Sequence, residues 1–265
     1  MELKENERID DLDYENLKII QNEKSFCFGI DSVLISDFAK EVKNNSIGID
    51  LGTGTGIISI LLVAKTNLRK IIGVEVQKGV SDMAKRSVKL NNMQNRIEII
   101  NLNIKDILQG EELKNKITKN VNKYNKEDVN CLLGDNFDFV VTNPPYKKLD
   151  TGKINESENK YISRHEVAAK LEDFIKVSKY LLKDKGAFYM VHRPDRLVDI
   201  IDLMRKYKIE PKKIRFVHST IDRDPTLVLI KGIKNARPFL KICKPLIIYN
   251  NDGNYTDEIN RIYNT

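Results

Sequence analysis

The sequence predicts an α/β fold in which a mostly parallel sheet is covered by helices on both faces. After residue 45, short apolar runs alternate with segments whose apolar residues recur at helical spacing. A glycine-rich turn, DLGTGTG (50–56), joins the first apolar run to the first helix, and a later run stops at NPPY (143–146). Such alternation is typical of parallel strands that are joined by crossover helices.

Seven apolar runs predict the strands of the sheet. In chain order they are 46–50, 70–75, 96–100, 137–142, 187–191, 214–218 and 226–230. The first five alternate with helices and are expected to be parallel, whereas the last two predict an antiparallel pair at one edge. Proline cannot donate to a sheet ladder, so the fourth run has to end where the prolines begin.

Four segments with an apolar face predict the covering helices. They are 57–65, 80–91, 166–182 and 196–207, and Gly186 stands just beyond the third, as is common where helices end. Two other stretches lack such a pattern. Residues 106–135 are dominated by Lys, Asn and Glu and predict a surface excursion with one short helix, and residues 147–163 predict a mobile loop.

Length and composition allow one full α/β domain or two small domains, and they narrow the class of protein. The 265 residues, 41% of them hydrophobic and 31% charged, suffice for a sizeable core. No run is long enough to span a bilayer and the N-terminus is too acidic for a signal peptide, so we expect a cytoplasmic protein. Three Cys and three His without ligand spacing predict neither a disulfide framework nor a metal site. The net charge of +7 favours an anionic partner such as nucleic acid, although the chain is rich in Lys throughout.

The turn after the first strand predicts a cofactor site. Glycines let the backbone turn tightly and approach a ligand beyond the carboxyl ends of the strands. Asp50 ends the first strand and would attract the ammonium of an amino-acid-bearing ligand, whereas it would repel a pyrophosphate. Glu75 ends the second strand and is placed to accept hydrogen bonds from ribose hydroxyls. The two acids favour S-adenosylmethionine (SAM) over NAD, and a plain tight turn with two surface acids is the alternative.

The NPPY stretch predicts how an amino group is methylated. An exocyclic amine of a nucleobase is a poor nucleophile, because its lone pair is delocalised into the ring. The side-chain carbonyl of Asn143 and the backbone carbonyl of Pro144 would accept hydrogen bonds from the two N–H groups of this amine. These hydrogen bonds would localise the lone pair on the nitrogen. Pro145 helps to fix the direction of this carbonyl, and Tyr146 offers a flat face for a base lifted out of its strand. A strand-terminating turn with a packed tyrosine is the alternative.

With these motifs, the chain resembles the NPPY class of SAM-dependent amino-methyltransferases, and within it the bacterial tRNA1(Val) (adenine-37) N6-methyltransferase family. The resemblance extends over nearly the whole chain. Besides the glycine turn and NPPY it includes ERIDDLDYENLKIIQ (7–21), FCFGIDSVLIS (26–36), GVEVQ (73–77), MAKRSVKLN (83–91), RHE (164–166), VHRPDRL (191–197) and RPFLKICKPLIIYNNDGNYT (237–256).

The resemblance implies a Rossmann-like class I methyltransferase fold with a seven-stranded sheet, SAM as methyl donor and tRNA as partner. It also implies that residues 1–45 pack on and close the cofactor site, within a single globular domain whose methyltransferase part is 46–265; we expect a monomer. Asn103 stands where the family often has an Asp that contacts the cofactor's adenine amine, and Asp106 could substitute. The expected cofactor contacts are Phe28, Asp31, Asp50, Gly52, Thr53, Gly54, Gly56, Glu75, Asn103 and Asn143.

Basic residues near the predicted site are expected to contact RNA phosphates. Lys147, Lys148 and Arg164 lie on or just after the loop that follows NPPY, and Arg193 and Arg196 follow the fifth strand. Each lysine is also explained as a solvated surface charge. The basic stretch 205–215 predicts a more remote patch.

Several activities stay open at this point. The leading hypothesis is N6-methylation of an adenine in tRNA, and the position, adenine 37, rests on the resemblance alone. The NPPY motif also occurs in enzymes that methylate glutamine side-chain amides of release factors. Those enzymes usually carry a helical domain ahead of the SAM domain. Methylation of guanine N2 in ribosomal RNA or of adenine in DNA is a further alternative, and a non-catalytic RNA-binding scaffold on this fold is the alternative outside enzymes.

Overall fold

The computed structural model describes residues 2–24, 28–110, 113, 130–146 and 169–263. The loop expected at 147–163 lies outside the described residues. So does most of the excursion expected at 106–135, whose described parts include two short 3-10 helices, Ile104–Gln109 and Cys131–Leu133.

The N-terminal segment folds into a hairpin and a helix. Strands β1 (Glu7–Asp11) and β2 (Lys18–Asn22) pair antiparallel as a separate two-stranded sheet, and helix α1 spans Ile30–Ala39. The Arg86 side chain donates to both carboxylate oxygens of Glu7 and so attaches the hairpin to the body of the protein.

The remaining elements continue the alternation of strand and helix. They are β3 (Ile47–Leu51), α2 (Ile57–Lys65), β4 (Lys70–Glu75), α3 (Lys78–Leu90), β5 (Ile97–Asn101), β6 (Phe137–Thr142), α4 (Leu171–Leu181), β7 (Leu182–His192), α5 (Leu197–Lys206), β8 (Ile209–His218), β9 (Pro225–Lys234), β10 (Lys241–Ile242), β11 (Leu246–Ile247) and α6 (Asp257–Tyr263).

The main sheet has the strand order β10-β8-β9-β7-β6-β3-β4-β5, and β11 pairs with β8 as well. The pairs among β3 to β7 are parallel, and β9 runs antiparallel to both β7 and β8. The predicted mixed α/β fold is therefore confirmed, with all seven predicted strands present. The short strands β10 and β11 extend the sheet at one edge, so the described sheet has nine strands where seven were expected.

The clearest difference from the predicted elements is the border between α4 and β7. The helix was expected to run to residue 182 and the strand to begin at 187, but the strand already begins at Leu182. Leu182 is fully buried and pairs with Phe137 of β6, so tertiary pairing outweighs the local helical pattern. The described part of the helix begins at Leu171, because Ala169 and Lys170 are not helical.

Two apolar clusters fill the two faces of the sheet. Val141 belongs to the cluster that contains residues of α1, α2 and α3, whereas its neighbour Val140 belongs to the cluster with α4 and α5. Ile19 of β2 and Val33 of α1 are members of the first cluster, so the N-terminal segment shares the core of the main sheet. No helix among the described residues is both long and apolar enough to cross a membrane.

Close packing between β3 and β6 fixes how these two strands lie. Gly48 of β3 pairs with Phe139 of β6, and the Phe139 ring occupies the space beside Gly48. A Cβ atom added to Gly48 would lie 2.0 Å from the ring, which is far inside van der Waals contact. Glycine is therefore required at position 48 by packing.

We predict that Gly48→Ala lowers the free energy of unfolding by about 1–3 kcal/mol, because the buried ring has no room to move. Gly79→Ala is the control, because an added Cβ meets nothing within 4 Å at this exposed position of α3. It should leave stability unchanged or raise it by up to about 1 kcal/mol. Urea unfolding measures both variants, and a Gly48→Ala protein as stable as the wild type would contradict the packing described.

Candidate active site

The carboxyl ends of β3, β4 and β6 lie side by side at one edge of the sheet. Leu51 at the end of β3 pairs with Val74 on one side and with Thr142 on the other. The Thr142 hydroxyl donates to the Leu51 carbonyl at 2.8 Å and ties the last residues of the two strands together. The glycine turn and NPPY therefore begin at the same level on adjacent strands.

The glycine turn depends on backbone conformations that favour glycine. Gly52, Gly54 and Gly56 have φ angles of 74°, 57° and 93°. The turn is held against β4, because the amides of Gly52 and Thr53 donate to the Val74 carbonyl at 2.9 and 3.0 Å. A Cβ added to Gly54 would meet nothing within 4 Å, so the middle of the turn faces open space.

Asp50 is a fully buried carboxylate with one oxygen unused. Its Oδ2 accepts from the hydroxyls of Thr53 and Ser59 at 2.6 and 2.9 Å. Its Oδ1 has no hydrogen-bond partner in the described parts of the chain. Burial raises the pKa of Asp50 to about 6, against the hydrogen bonds from Thr53 and Ser59, which lower it. The unpartnered Oδ1 is placed to accept a hydrogen bond from a cationic group of a ligand. The hydroxyl of Thr53, which is an expected cofactor contact, is already bonded to Asp50.

Glu75 lies beside the turn and is nearly as buried as Asp50. Its carboxylate accepts from the backbone amide of Gly54 at 3.2 Å and from that of Gln77 at 2.8 Å. Burial raises the pKa of Glu75, and the nearby charge of Asp50 adds to this rise. Each oxygen can accept a further hydrogen bond, so the arrangement is compatible with the expected ribose contact.

Asn143 is held by partners that fix the orientation of its amide. Its Nδ2 donates to Asp31 Oδ2 at 3.1 Å and to Ser32 Oγ at 3.3 Å. The Tyr146 hydroxyl lies 2.7 Å from Asn143 Oδ1 and 2.6 Å from Asp31 Oδ2. The structure thus joins Asp31, Asn143 and Tyr146 in one hydrogen-bonded cluster, which we call the amide cluster.

His192 at the end of β7 contacts the amide cluster through the Tyr146 ring. The two ring centroids are 5.1 Å apart and the rings are tilted by 58°. The Arg193 amide donates to His192 Nδ1 at 2.8 Å, so the ring proton is on Nε2, which is buried and has no described partner. Burial lowers the pKa of His192 to about 4 and keeps the ring neutral at physiological pH, whereas burial raises the pKa of Tyr146.

Two other expected cofactor residues have local partners. Asn103 caps the 3-10 helix Ile104–Gln109, with its side-chain oxygen accepting from the Lys105 amide at 3.0 Å. The backbone amide of Phe28 donates to the side chain of Gln21 at 2.8 Å, and its ring packs on the apolar core. Contacts of Asn103 and Phe28 with a cofactor stay predictions.

The residues predicted to bind RNA divide into three groups. Lys147, Lys148 and Arg164 lie outside the described residues. The side chain of Arg193 is 59% exposed beside the amide cluster, and its charge lowers the pKa of Tyr146 against the effect of burial. Arg193 pairs loosely with the exposed Asp195 at 3.5 Å. Arg196 is only 17% exposed and pairs with Asp199 at 2.7 Å, so it is less available to a phosphate than Arg193.

The more remote basic stretch is largely neutralised by acidic neighbours. Ion pairs join Arg205 to Glu210, Lys206 to Glu172, Lys213 to Glu41 and Arg215 to Glu258. A positive sequence segment therefore does not form a simple positive surface.

Sequence reasoning missed the partners that hold the site together. Gln21 is buried in β2 and bonds to the segment before α1, and Ser32 bonds to the reactive amide. His192 is not among the residues predicted for the site. Its position directly after the five residues AFYMV (187–191), at the end of a strand, is the one signal that the sequence offers. Among the described residues, no group of three or more His, Cys, Asp or Glu could hold a metal ion.

Comparison with known proteins identifies the family. Residues 69–223 match the family model described as Eco57I restriction-modification methylase. The chain belongs to this methylase family. The matched region contains NPPY and His192, and it begins after the glycine turn.

Curated relatives resemble the methylase over most of its length. A Porphyromonas gingivalis protein named tRNA1(Val) (adenine(37)-N6)-methyltransferase is 24% identical over 240 residues, which cover 88% of this chain and 86% of that protein. Proteins of the same name from Aliivibrio salmonicida and Haemophilus influenzae are each 22% identical. The two alignments cover 86% and 92% of this chain, respectively, and the same percentages of the relatives' own lengths. The resemblance inferred from the motifs is confirmed.

Solved structures share the fold of the methylase. A protein described as a predicted O-methyltransferase of Agrobacterium tumefaciens superimposes with a TM-score of 0.65 at 18% identity, over 88% of this chain and 95% of that one. The TYW2 protein of M. jannaschii, solved in complex with AdoMet (SAM), gives a TM-score of 0.55 at 13% identity, over 88% of both chains. The expected class I methyltransferase fold is confirmed.

We predict that Asp50 makes the methylase less stable as the pH rises from about 4 to 6. The folded protein retains the Asp50 proton up to about pH 6, whereas an unperturbed Asp releases it near 3.8. The folded state therefore binds more protons in this window, and the free energy of unfolding falls by about 3 kcal/mol as the pH rises through it.

Urea unfolding of the wild type and of Asp50→Asn at several pH values isolates this contribution. The wild type minus variant difference should fall across the window. The variant comparison is needed because His192 acts with the opposite sign: the unfolded state binds its proton up to about pH 6.5, so its contribution to stability rises with pH. A difference that stays constant from pH 4 to 7 would contradict the raised pKa of Asp50.

Proposed function

We propose that this methylase transfers a methyl group from SAM to the exocyclic N6 of an adenine in tRNA, with adenine 37 of tRNA1(Val) as the target. The observation that carries this proposal is the amide cluster. It presents the Asn143 carbonyl at the end of β6, one strand away from an open glycine turn. A fixed carbonyl next to a cofactor cleft is what methylation of a planar amino group requires.

The residues of the glycine turn fit SAM. The unpartnered Oδ1 of Asp50 suits an ammonium group, the open space at Gly54 admits a ligand, and Glu75 is placed beside the turn. When bound, SAM supplies a methyl group on a positively charged sulfur, which keeps the bonding electron pair as the methyl leaves. The shared fold of a protein solved with AdoMet supports this assignment.

The carbonyl groups of Asn143 and Pro144 would activate the amine by accepting hydrogen bonds from its two N–H groups. Nitrogen then directs its lone pair toward the methyl carbon, and the carbonyl dipoles stabilise the positive charge that develops on nitrogen. The proton that the nitrogen loses after the transfer passes to water. Holding the amine in line is the larger part of catalysis here, because a direct displacement depends on geometry more than on a strong base.

Tyr146 is expected to change partner when the substrate arrives, because its hydroxyl takes one of the two acceptor positions of the Asn143 carbonyl oxygen. In the free protein its hydroxyl lies at hydrogen-bond distance from Asn143 Oδ1, the atom that the amine needs. A base stacked against the Tyr146 ring would displace this bond, and the neutral His192 beneath the ring adds no charge to the pocket. The exposed Arg193 next to the cluster would meet a phosphate of the flipped nucleotide.

The assignment to tRNA is supported by relatives that match over most of their length. The family model is described as a restriction-modification methylase, which favours methylation of an adenine in DNA as the second candidate among the alternatives raised from the sequence. That model covers the middle of the chain, whereas the relatives named for tRNA cover both ends as well. The net charge of +7 suits either nucleic acid. A tRNA substrate implies a cytoplasmic enzyme, and residues 1–45 would close the cofactor site.

We predict that the protein, given methyl-labelled SAM and total tRNA lacking the modification, labels one tRNA as N6-methyladenosine. Nucleoside mapping of the labelled tRNA locates the position. Parallel reactions with ribosomal RNA, duplex DNA and a release factor test the alternatives. Label in DNA, or in a nucleoside other than N6-methyladenosine, would overturn the proposal.

We predict that Asn143→Ala lowers kcat by about 100- to 1000-fold, because one of the carbonyl acceptors is lost from the transition state. The dissociation constant of SAM, measured by calorimetry, should stay within about twofold. Asn136→Ala is the matched control. This exposed asparagine immediately precedes the first residue of β6, far from the NPPY end, so its substitution should not affect methyl transfer. Joint loss of transfer and SAM binding would mean that Asn143 is mainly structural.

A further inference from the structure

We propose that Asp31 is a positioning residue that orients and polarises the Asn143 amide and takes over the Tyr146 hydroxyl when the substrate amine binds. This inference rests on the proposed function, because it concerns the same reactive amide. It replaces the expectation that Asp31 contacts the cofactor.

Asp31 contacts the nitrogen end of the Asn143 side-chain amide. The Asn143 Nδ2 donates to Asp31 Oδ2 at 3.1 Å, so the carboxylate can accept only from the nitrogen end of the amide. The carbonyl end, Oδ1, must then point away from Asp31. The side-chain orientation of Asn143 is thereby decided by a residue 112 positions earlier in the chain.

Asp31 is itself rigidly placed. It lies in the first turn of α1 and is only 7% exposed, and its Oδ1 accepts from the Ser32 amide at 2.9 Å. A carboxylate at a helix N-terminus is stabilised by the helix dipole. Gly29 leaves it room, since a Cβ at Gly29 would lie 3.0 Å from Asp31 Oδ1.

The first consequence of this contact is a stronger acceptor at the reactive end of the amide. A hydrogen bond from Nδ2 to a carboxylate is charge-assisted, and it shifts electron density toward Oδ1. The Asn143 carbonyl then interacts more strongly with the positive charge that develops on the amine. The effect is larger in the transition state than with bound substrate, so it should appear in kcat.

The second consequence concerns the single proton of the Tyr146 hydroxyl. This hydroxyl lies 2.7 Å from Asn143 Oδ1 and 2.6 Å from Asp31 Oδ2, and it can donate to only one of them at a time. When the amine donates to Asn143 Oδ1, the hydroxyl can donate to Asp31 instead. Asp31 therefore lets the amine replace Tyr146 without leaving a buried hydroxyl unpaired.

The same contacts leave Asp31 little capacity for a cofactor. Ser32, Asn143 and Tyr146 fill three of the roughly four acceptor sites of its carboxylate. The cofactor assignment and the positioning assignment make different predictions for SAM affinity, which separates them.

We predict a graded loss of kcat for substitutions of Asp31. Asp31→Ala should lower kcat by about 10- to 100-fold, because the amide loses its fixed orientation. Asp31→Asn keeps an acceptor oxygen without the charge, so it should recover part of the loss. The dissociation constant of SAM should stay within about twofold, and KM for the tRNA should change by less than about threefold. Asp31→Ala should lower the Tm, because it removes the buried acceptor of the Ser32 amide, Asn143 and Tyr146.

Asp37→Asn is the matched control, because it makes the same chemical change in the same helix at a residue that pairs with Lys40. It should leave kcat unchanged. If Asp31→Asn weakens SAM binding in parallel with kcat, Asp31 is a cofactor contact and the positioning inference is wrong. Unchanged kcat in both Asp31 variants would also overturn it.

A readout without RNA keeps the inference separate from the proposed function. In protein labelled with 15N-asparagine, the side-chain amide signal of Asn143 is assigned by its loss in Asn143→Ala. The proton that donates to Asp31 should resonate downfield and exchange slowly with solvent. This signature should disappear in Asp31→Ala and persist in Asp37→Asn.

The two failures are then distinguishable. A wild-type protein that methylates no tRNA but shows the amide signature would overturn the proposed function alone. An Asn143 signal that is the same with and without Asp31 would overturn the positioning inference, whatever the substrate proves to be.

Discussion

The alignment of β3 with β6 is the constraint on which the candidate site depends. Leu51 lies opposite Thr142, and this pairing sets the glycine turn beside Asn143. A slip of one residue would displace Asn143 by about 3.3 Å along the strand and turn it to the other face of the sheet. The Phe139 ring packed against Gly48 resists such a slip, because only this alignment places the ring over a residue without a side chain. Packing at the start of β3 therefore controls geometry at the reactive end.

The site also contains the polar groups that the fold satisfies least well. Asp50 Oδ1 and His192 Nε2 are buried without partners among the described residues, and the Tyr146 hydroxyl stands between two acceptors. Groups left in this state cost stability wherever they occur. All three lie where the carboxyl ends of β3, β6 and β7 meet, and Ser81 Oγ in α3 is the other buried side-chain atom without a partner among the described residues. Concentration of such groups at one edge of a sheet is expected of a site that completes its hydrogen bonds with ligands.

The sequence predicted the features that depend on local pattern. Apolar runs located β3 to β9, and glycines and prolines located the two motifs, because both signals lie within a few residues. The hairpin β1–β2 was not predicted, since ERIDD and KIIQN are partly polar and gain their order from pairing and from Arg86. The contact of Asp31 with Asn143 spans 112 positions and has no periodicity to reveal it. Neutralisation of the basic stretch 205–215 was equally hidden, because its acidic partners include the distant Glu41, Glu172 and Glu258.

The amide cluster suggests why position 143 is an amide and not a carboxylate. A carboxylate there would attract a cationic methyl donor before any reaction, and binding of that kind stabilises the ground state as much as the transition state. A neutral amide interacts weakly with the donor and accepts hydrogen bonds from the amine. The negative charge of Asp31 lies one side chain further back, where it acts through the amide. The negative charge of Asp31 then interacts most strongly with the nitrogen of the substrate amine, which becomes positive only during the transfer. The arrangement therefore stabilises the transition state more than the bound substrate.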